Sequence, residues 1–141
     1  MKPKFNSFIL SCLFLFSAPV CAESELVASS PESVPGATTV DAKMARQLFE
    51  QEAAFVDLRK DTAWNAGRIP GAIHIDFKKS FSQDALQAEV GKEEAVVFYC
   101  SGIRCPRSAK ASEKALGWGY DQVYYFREGF PAWQQAGYPV E

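Results

Sequence analysis

Ala95-Val96-Val97-Phe98-Tyr99-Cys100-Ser101-Gly102-Ile103-Arg104-Cys105-Pro106-Arg107-Ser108 is the most informative run of the chain. It opens with an unbroken apolar stretch, Ala95 to Tyr99, rich in β-branched and aromatic side chains. Continuity at that length marks a strand covered on both faces, as the central strand of a parallel sheet is. The strand runs straight into Cys100. A loop follows with Gly102, Arg104, Cys105 and Arg107, and then a helix expected over Ser108 to Leu116 with Gly117 as its C-cap. In open α/β sheets the carboxyl end of such a strand is where ligands sit.

On either side of this run the chain alternates between strand and helix patterns. Thr38-Thr39-Val40 is β-prone, and Asp41 can cap a helix through Met44, Ala45, Leu48 and Phe49. Ala54 to Leu58 reads as a buried strand and Asp61 to Ala66 as a short helix. After a turn at Gly67 to Gly71, Ala72 to Ile75 is a short strand. A short helix is expected over Asp84 to Val90, a buried strand over Val123 to Phe126, and a last helix opening at Pro131. The pattern predicts an α/β fold over residues 37–141, with a central, mostly parallel sheet and helices on both faces.

The 141 residues are 48% hydrophobic and 23% charged, an ordinary balance for one globular domain. Lys+Arg number 15 and Asp+Glu 17, so no strong positive field exists and a nucleic-acid partner is not expected. Residues 1–22 have the layout of a signal peptide. Lys2 and Lys4 precede the apolar run Phe8 to Phe16, and Ala22 stands at the expected cut. That run is too short for a comfortable membrane span. The mature chain is therefore expected in the periplasm or outside the cell, with no stable membrane insertion. Residues 23–36, with Ser, Pro and acidic side chains, read as a flexible linker. Cleavage removes Cys12 and Cys21 and leaves Cys100 and Cys105 in an oxidising compartment. A bridge between them would close too short a loop to constrain much of the unfolded chain, so the pair calls for a chemical or redox role.

Cys100 is the candidate nucleophile. The loop turns backbone N–H groups inward, and the helix that follows adds the positive end of its dipole. Arg104, Arg107 and Lys110 add charge, and all three effects favour a thiolate. The same donors would hold an anionic substrate through Ser101, Gly102, Ile103, Arg104 and Arg107. Asp57 and Arg59, at another strand end, are expected to fix the loops by charge-assisted hydrogen bonds. His74 is the only histidine. A structural role is expected for it, with no metal site.

Several segments carry a family resemblance. They are Val56-Asp57-Leu58-Arg59, Trp64 to Ile75, Val97-Phe98-Tyr99-Cys100, and Tyr124 to Trp133 followed by Ala136 to Val140. In this order they resemble a single-domain rhodanese, a module of the sulfurtransferase family, from about Thr39 to Val140. Arg68 stands where that family usually has His, and Glu128 replaces the first of two usual glycines. The active loop looks two residues longer than the common form and resembles a branch with a second cysteine. A phosphatase branch of the fold wants Arg six residues after the cysteine, where this chain has Pro106.

The resemblance implies a sulfurtransferase of the thiosulfate type, which the expected signal peptide would make an exported one. Cys100 would take sulfane sulfur from a small anionic donor as a persulfide, then pass it to cyanide, a small thiol or a protein acceptor. No cofactor is implied. One alternative is a thiol-redox or persulfide-relay protein in which Cys105 is a second, resolving thiol. Another is an inactive rhodanese-like binding module.

Overall fold

The computed structural model describes residues 29–141. The expected signal peptide, residues 1–22, lies outside them. Among the described residues, five strands and five helices alternate: β1 (Thr38–Thr39), α1 (Ala42–Glu50), β2 (Ala54–Asp57), α2 (Asp61–Ala66), β3 (Ile73–His74), α3 (Gln83–Glu89), β4 (Val96–Tyr99), α4 (Arg107–Gly117), β5 (Val123–Phe126) and α5 (Gly129–Gln135). The strands form one sheet in the order β1-β5-β4-β2-β3, and every pairing is parallel. β4 lies at the centre, as its continuous apolar run requires.

The pleat divides the core in two. Val96 and Phe98 point to one face, where they meet Leu86, Val90, Ala111 and Ala115 from α3, the residue after it, and α4. Val97 and Tyr99 point to the other, against Ala45, Leu48, Phe130 and Trp133 from α1 and α5. This is the two-residue period of a strand written into two helix layers. Asp41 caps α1 by accepting from the Met44 N–H at 2.8 Å, and Ser82 caps α3 by accepting from Ala85 at 3.1 Å. Trp133 is fully buried, and its indole N–H donates to the Pro139 carbonyl at 2.7 Å. Trp118 is packed at the edge of the first cluster.

Several boundaries shift by a residue, and α4 runs through Gly117, the expected C-cap, so that Trp118 caps it instead. α5 starts at Gly129, before Pro131, because a proline in the first helical turn has no donor to lose. The larger difference is in residues 29–36, expected as part of a flexible linker. They pack against the domain. Val34 is 2% exposed and joins Ala109 and Tyr125 in a small third cluster. The Tyr125 hydroxyl donates to the Pro31 carbonyl at 2.8 Å, and the Arg127 guanidinium donates to the Ser30 and Pro31 carbonyls at 3.0 Å each. A polar composition described this strap as loose, while side chains far along the chain hold it down.

Candidate active site

β4 delivers Cys100 to the carboxyl edge of the sheet, where it is 1% exposed. Its carbonyl accepts from the Phe130 N–H at 3.0 Å, which ties the start of the loop to the start of α5. The turn between β5 and α5 comes so close that a Cβ on Gly129 would collide with the Cys100 carbonyl oxygen. Gly129 also has φ +62, so a side chain there is excluded twice over. Glu128, one residue earlier, has φ −70 and is exposed. Of the two positions usually held by glycine, only the second therefore needs one here.

Cys100 is joined to Cys105 by a disulfide. Between them the chain turns tightly, with the Cys105 N–H donating to the Gly102 carbonyl at 3.0 Å and Gly102 at φ +123. The Ser101 hydroxyl lies 3.9 Å from Cys100 Sγ. Ile103 is 45% exposed, and its carbonyl accepts from both the N–H of Ser30, at 2.6 Å, and the Ser30 hydroxyl, at 2.8 Å. The strap thus fixes the crown of the loop by its carbonyl. Among the described residues, no carbonyl accepts from the N–H groups of Ser101, Gly102, Ile103 and Arg104, which leaves those donors for an anion.

The two loop arginines are placed differently. Arg104 is exposed and borders the clefts on both sides of the loop. Arg107 turns back into the structure. Its guanidinium donates to the Leu58 carbonyl at 3.1 Å and stands 3.9 Å from the carboxylate of Asp76. Arg107 therefore bolts the foot of α4 to the end of β2, and Arg104 is the loop arginine open to a ligand. One cleft, of about 440 Å³, is lined by Cys105 with Lys60, Lys78, Arg104, Arg107 and Lys110. The other, of about 660 Å³, is lined by Ser101 to Arg104 with Glu128 and the exposed side of α5.

Asp57 and Arg59 form a buried ion pair beneath the site. The guanidinium donates to both carboxylate oxygens, reaching one of them at 2.6 and 3.1 Å, and to the Gly67 carbonyl at 2.7 Å. Arg59 also lies over the Phe130 ring at 4.3 Å. Tyr99 completes the cluster by donating its hydroxyl to Asp57 at 2.7 Å, while that oxygen accepts from the Ile69 N–H. Burial, and after it the Asp57 carboxylate, pushes the Tyr99 hydroxyl well above its usual titration range, so it stays a donor. His74 is spoken for as well. It stacks on Trp64 with centroids 4.7 Å apart, and its Nε2 lies 2.8 Å from the Arg59 carbonyl.

Sequence reasoning missed Tyr99, Ser30 and Arg127 as parts of this arrangement. Tyr99 left a signal, because a tyrosine at the end of a core strand must find a partner for its hydroxyl. Ser30 left none, since its partner is 73 residues away.

The profile of the rhodanese-like domain family matches residues 41–136, which include every strand but β1 and all five helices. The chain belongs to the rhodanese-like domain family. A thiosulfate sulfurtransferase of Pseudomonas syringae is 31% identical over 99 residues, covering 70% of this chain and 88% of that protein. An HTH-type transcriptional regulator of Mycobacterium tuberculosis is 32% identical over 124 residues, but this chain spans only 51% of its length. The human single-domain sulfurtransferase superposes with a TM-score of 0.59 at 25% identity, covering 70% of this chain and 96% of that one. The rhodanese-like fold accounts for the parallel sheet and the helix layers.

Proposed function

We propose that this protein is an exported sulfurtransferase whose sulfur carrier is Cys100. The supporting observation is the placement of Cys100 at the carboxyl end of the central parallel strand, under a loop with unclaimed N–H groups that leads into α4. In the reduced protein the Cys100 thiolate attacks the outer sulfur of a thiosulfate-like donor. The S–S bond of the donor breaks, sulfite leaves with the bonding pair, and Cys100 becomes a persulfide. The loop N–H groups and Arg104 would stabilise the charge on the leaving group. A thiophile then attacks the outer sulfur of the persulfide. Cyanide leaves as thiocyanate, or a thiol leaves as its own persulfide, and the Cys100 thiolate returns. The helix dipole and loop donors replace a general base, consistent with His74 being engaged elsewhere.

The test is mass spectrometry of the reduced protein after incubation with thiosulfate. A gain of one sulfur atom on the peptide containing Cys100, absent in Cys100→Ala, is the expected result. No gain in the native protein would leave a binding module as the reading. Export is tested separately, by N-terminal sequencing of the secreted or periplasmic protein, which should begin at Glu23.

The Cys100–Cys105 bridge favours a second reading, a persulfide relay. Cys105 thiolate attacks the inner sulfur of the Cys100 persulfide, the disulfide forms, and hydrosulfide leaves. Hydrosulfide release in the absence of any external thiol, lost in Cys105→Ala, would distinguish it from simple transfer.

A further inference from the structure

We propose that the basic cleft beside Cys105 binds a small thiol bearing carboxylates, which reopens the Cys100–Cys105 bridge by attacking Cys105. The inference rests on the reading in which the bridged protein is a resting state on the way to the free Cys100 thiolate.

The cleft is built from three segments far apart in the chain. Lys60 comes from the turn before α2, Lys78 from the segment after β3, and Arg104, Arg107 and Lys110 from the active loop and the first turn of α4. Among the described residues, no acidic side chain lines it. Arg107 is partly neutralised by Asp76, 3.9 Å away, but Lys60, Lys78, Arg104 and Lys110 are all exposed cations around one opening. Phe77, Ala63 and Pro106 provide apolar wall between them. A volume of about 440 Å³ exceeds what a single small anion needs and fits a compact organic molecule. Several negative charges on a short apolar body are the complement of this surface.

The disulfide sets where such a thiol must react. Cys100 is 1% exposed, whereas Cys105 is half-buried and lines the cleft. The incoming thiolate therefore bonds to Cys105 Sγ, the Cys100–Cys105 bond breaks, and Cys100 leaves with the electron pair. Exchange is faster when the leaving thiolate is the better stabilised one, and Cys100 leaves beneath the loop donors. The products are a mixed disulfide on Cys105 and the Cys100 thiolate, which is the form sulfur transfer requires. A second equivalent of the thiol attacks the external sulfur of the mixed disulfide. It releases the oxidised small molecule and returns Cys105 as a thiolate. The reductant thus enters by the cleft on one side of the loop. The other cleft, lined by Ser101, Gly102 and Ile103, stays open to the sulfur donor.

The experiment uses the oxidised mature protein and compares mercaptosuccinate, 2-mercaptoethanol and cysteamine at equal thiolate concentration, by acid quench and peptide mapping. Mercaptosuccinate should open the bridge roughly ten- to a hundredfold faster than 2-mercaptoethanol at low ionic strength, and cysteamine slowest of the three. The advantage should fall to a few-fold in about 0.5 M salt, where the screening length is short. The trapped adduct should sit on Cys105 with Cys100 free to alkylate. The double substitution Lys60→Gln and Lys78→Gln should narrow the ratio between mercaptosuccinate and 2-mercaptoethanol at least threefold. Equal rates for the three thiols, or an adduct on Cys100, would overturn the proposal. Persulfide formation by the chemically reduced protein is measured alongside. If it succeeds while the thiols react alike, this inference alone fails. If the thiol preference holds but Cys100 takes up no sulfur, the sulfurtransferase reading fails.

Discussion

The carboxyl ends of β2 and β4 lie side by side, with Asp57 in register with Tyr99, and they are built in opposite ways. At the end of β2 the charged groups are buried and paired. Asp57, Arg59, Tyr99 and the Gly67 carbonyl satisfy one another in a buried cluster. At the end of β4 the chain enters a loop in which the N–H groups of Ser101 to Arg104 face no protein acceptor among the described residues and Arg104 stands exposed. The saturated end gives the rigidity, and the open end uses it. Buried charges this well paired neither bind nor react. They hold the neighbouring strand end at a fixed height, so that Cys100 emerges at a defined place.

The largest effect should come from the open end. Cys100→Ala is expected to abolish sulfur transfer in a steady-state thiosulfate assay, whereas Cys105→Ala keeps it at a reduced level. The reverse order would mean that the carrier has been placed on the wrong cysteine. The saturated end should respond in stability instead. Arg59→Met leaves the Asp57 carboxylate buried without its cation, and it should cost about 3–5 kcal/mol in urea unfolding. A cost below about 1 kcal/mol would show that the cluster is not what braces the site.

The turn at Gly129 and Phe130 joins the two ends, because Phe130 donates its N–H to the Cys100 carbonyl and places its ring under Arg59. Gly129→Ala should cost about 3 kcal/mol or more, from the left-handed backbone and the collision with that carbonyl together. Glu128→Gly, at φ −70, should cost only about 0.5–1 kcal/mol, through the extra freedom of the unfolded chain. Equal costs would remove the distinction drawn between the two positions.

The arginines sharpen the comparison further. Arg104→Gln should raise the KM for thiosulfate roughly tenfold, the worth of a charge-assisted hydrogen bond to a ligand. Arg107→Gln should leave KM nearly unchanged and lower stability by about 1 kcal/mol, since its bonds go to Leu58 and Asp76. The smallest effect concerns pH. Tyr99 titrates higher folded than unfolded, so its contribution is complete below about pH 10 and is lost as the unfolded state releases its proton above that. The stability difference between the native protein and Tyr99→Phe should be flat up to about pH 10 and shrink beyond it. A difference that grows with pH would contradict the Tyr99–Asp57 bond.

The sheet was legible because its strands carry their own instructions. Val96 to Tyr99 is apolar throughout, and turns between elements are marked by Gly67, Gly71 and Gly137. The placement of Cys100 was legible because a buried strand that ends on a cysteine sets that residue at the carboxyl edge of the sheet, where ligands meet it. The direction of Arg107 was not, since a side chain in a loop chooses between solvent and a neighbouring strand end by contacts absent from its own segment. The strap was hidden for the same reason. Ser, Pro and Glu describe how residues 29–36 behave alone, whereas Val34, Ser30 and Pro31 are held by Tyr125, Arg127 and Ile103.

That strap also sets an order of events during synthesis. Ser30 and Pro31 emerge from the ribosome early, but the guanidinium that donates to their carbonyls is 97 and 96 residues behind them. The carbonyl at the crown of the loop, Ile103, likewise follows Ser30 by 73 residues. The first stretch of the described chain to be made is therefore among the last to find its place. Until β5 has been translated and paired, the loop that carries Cys100 and Cys105 lacks the contact that closes over it.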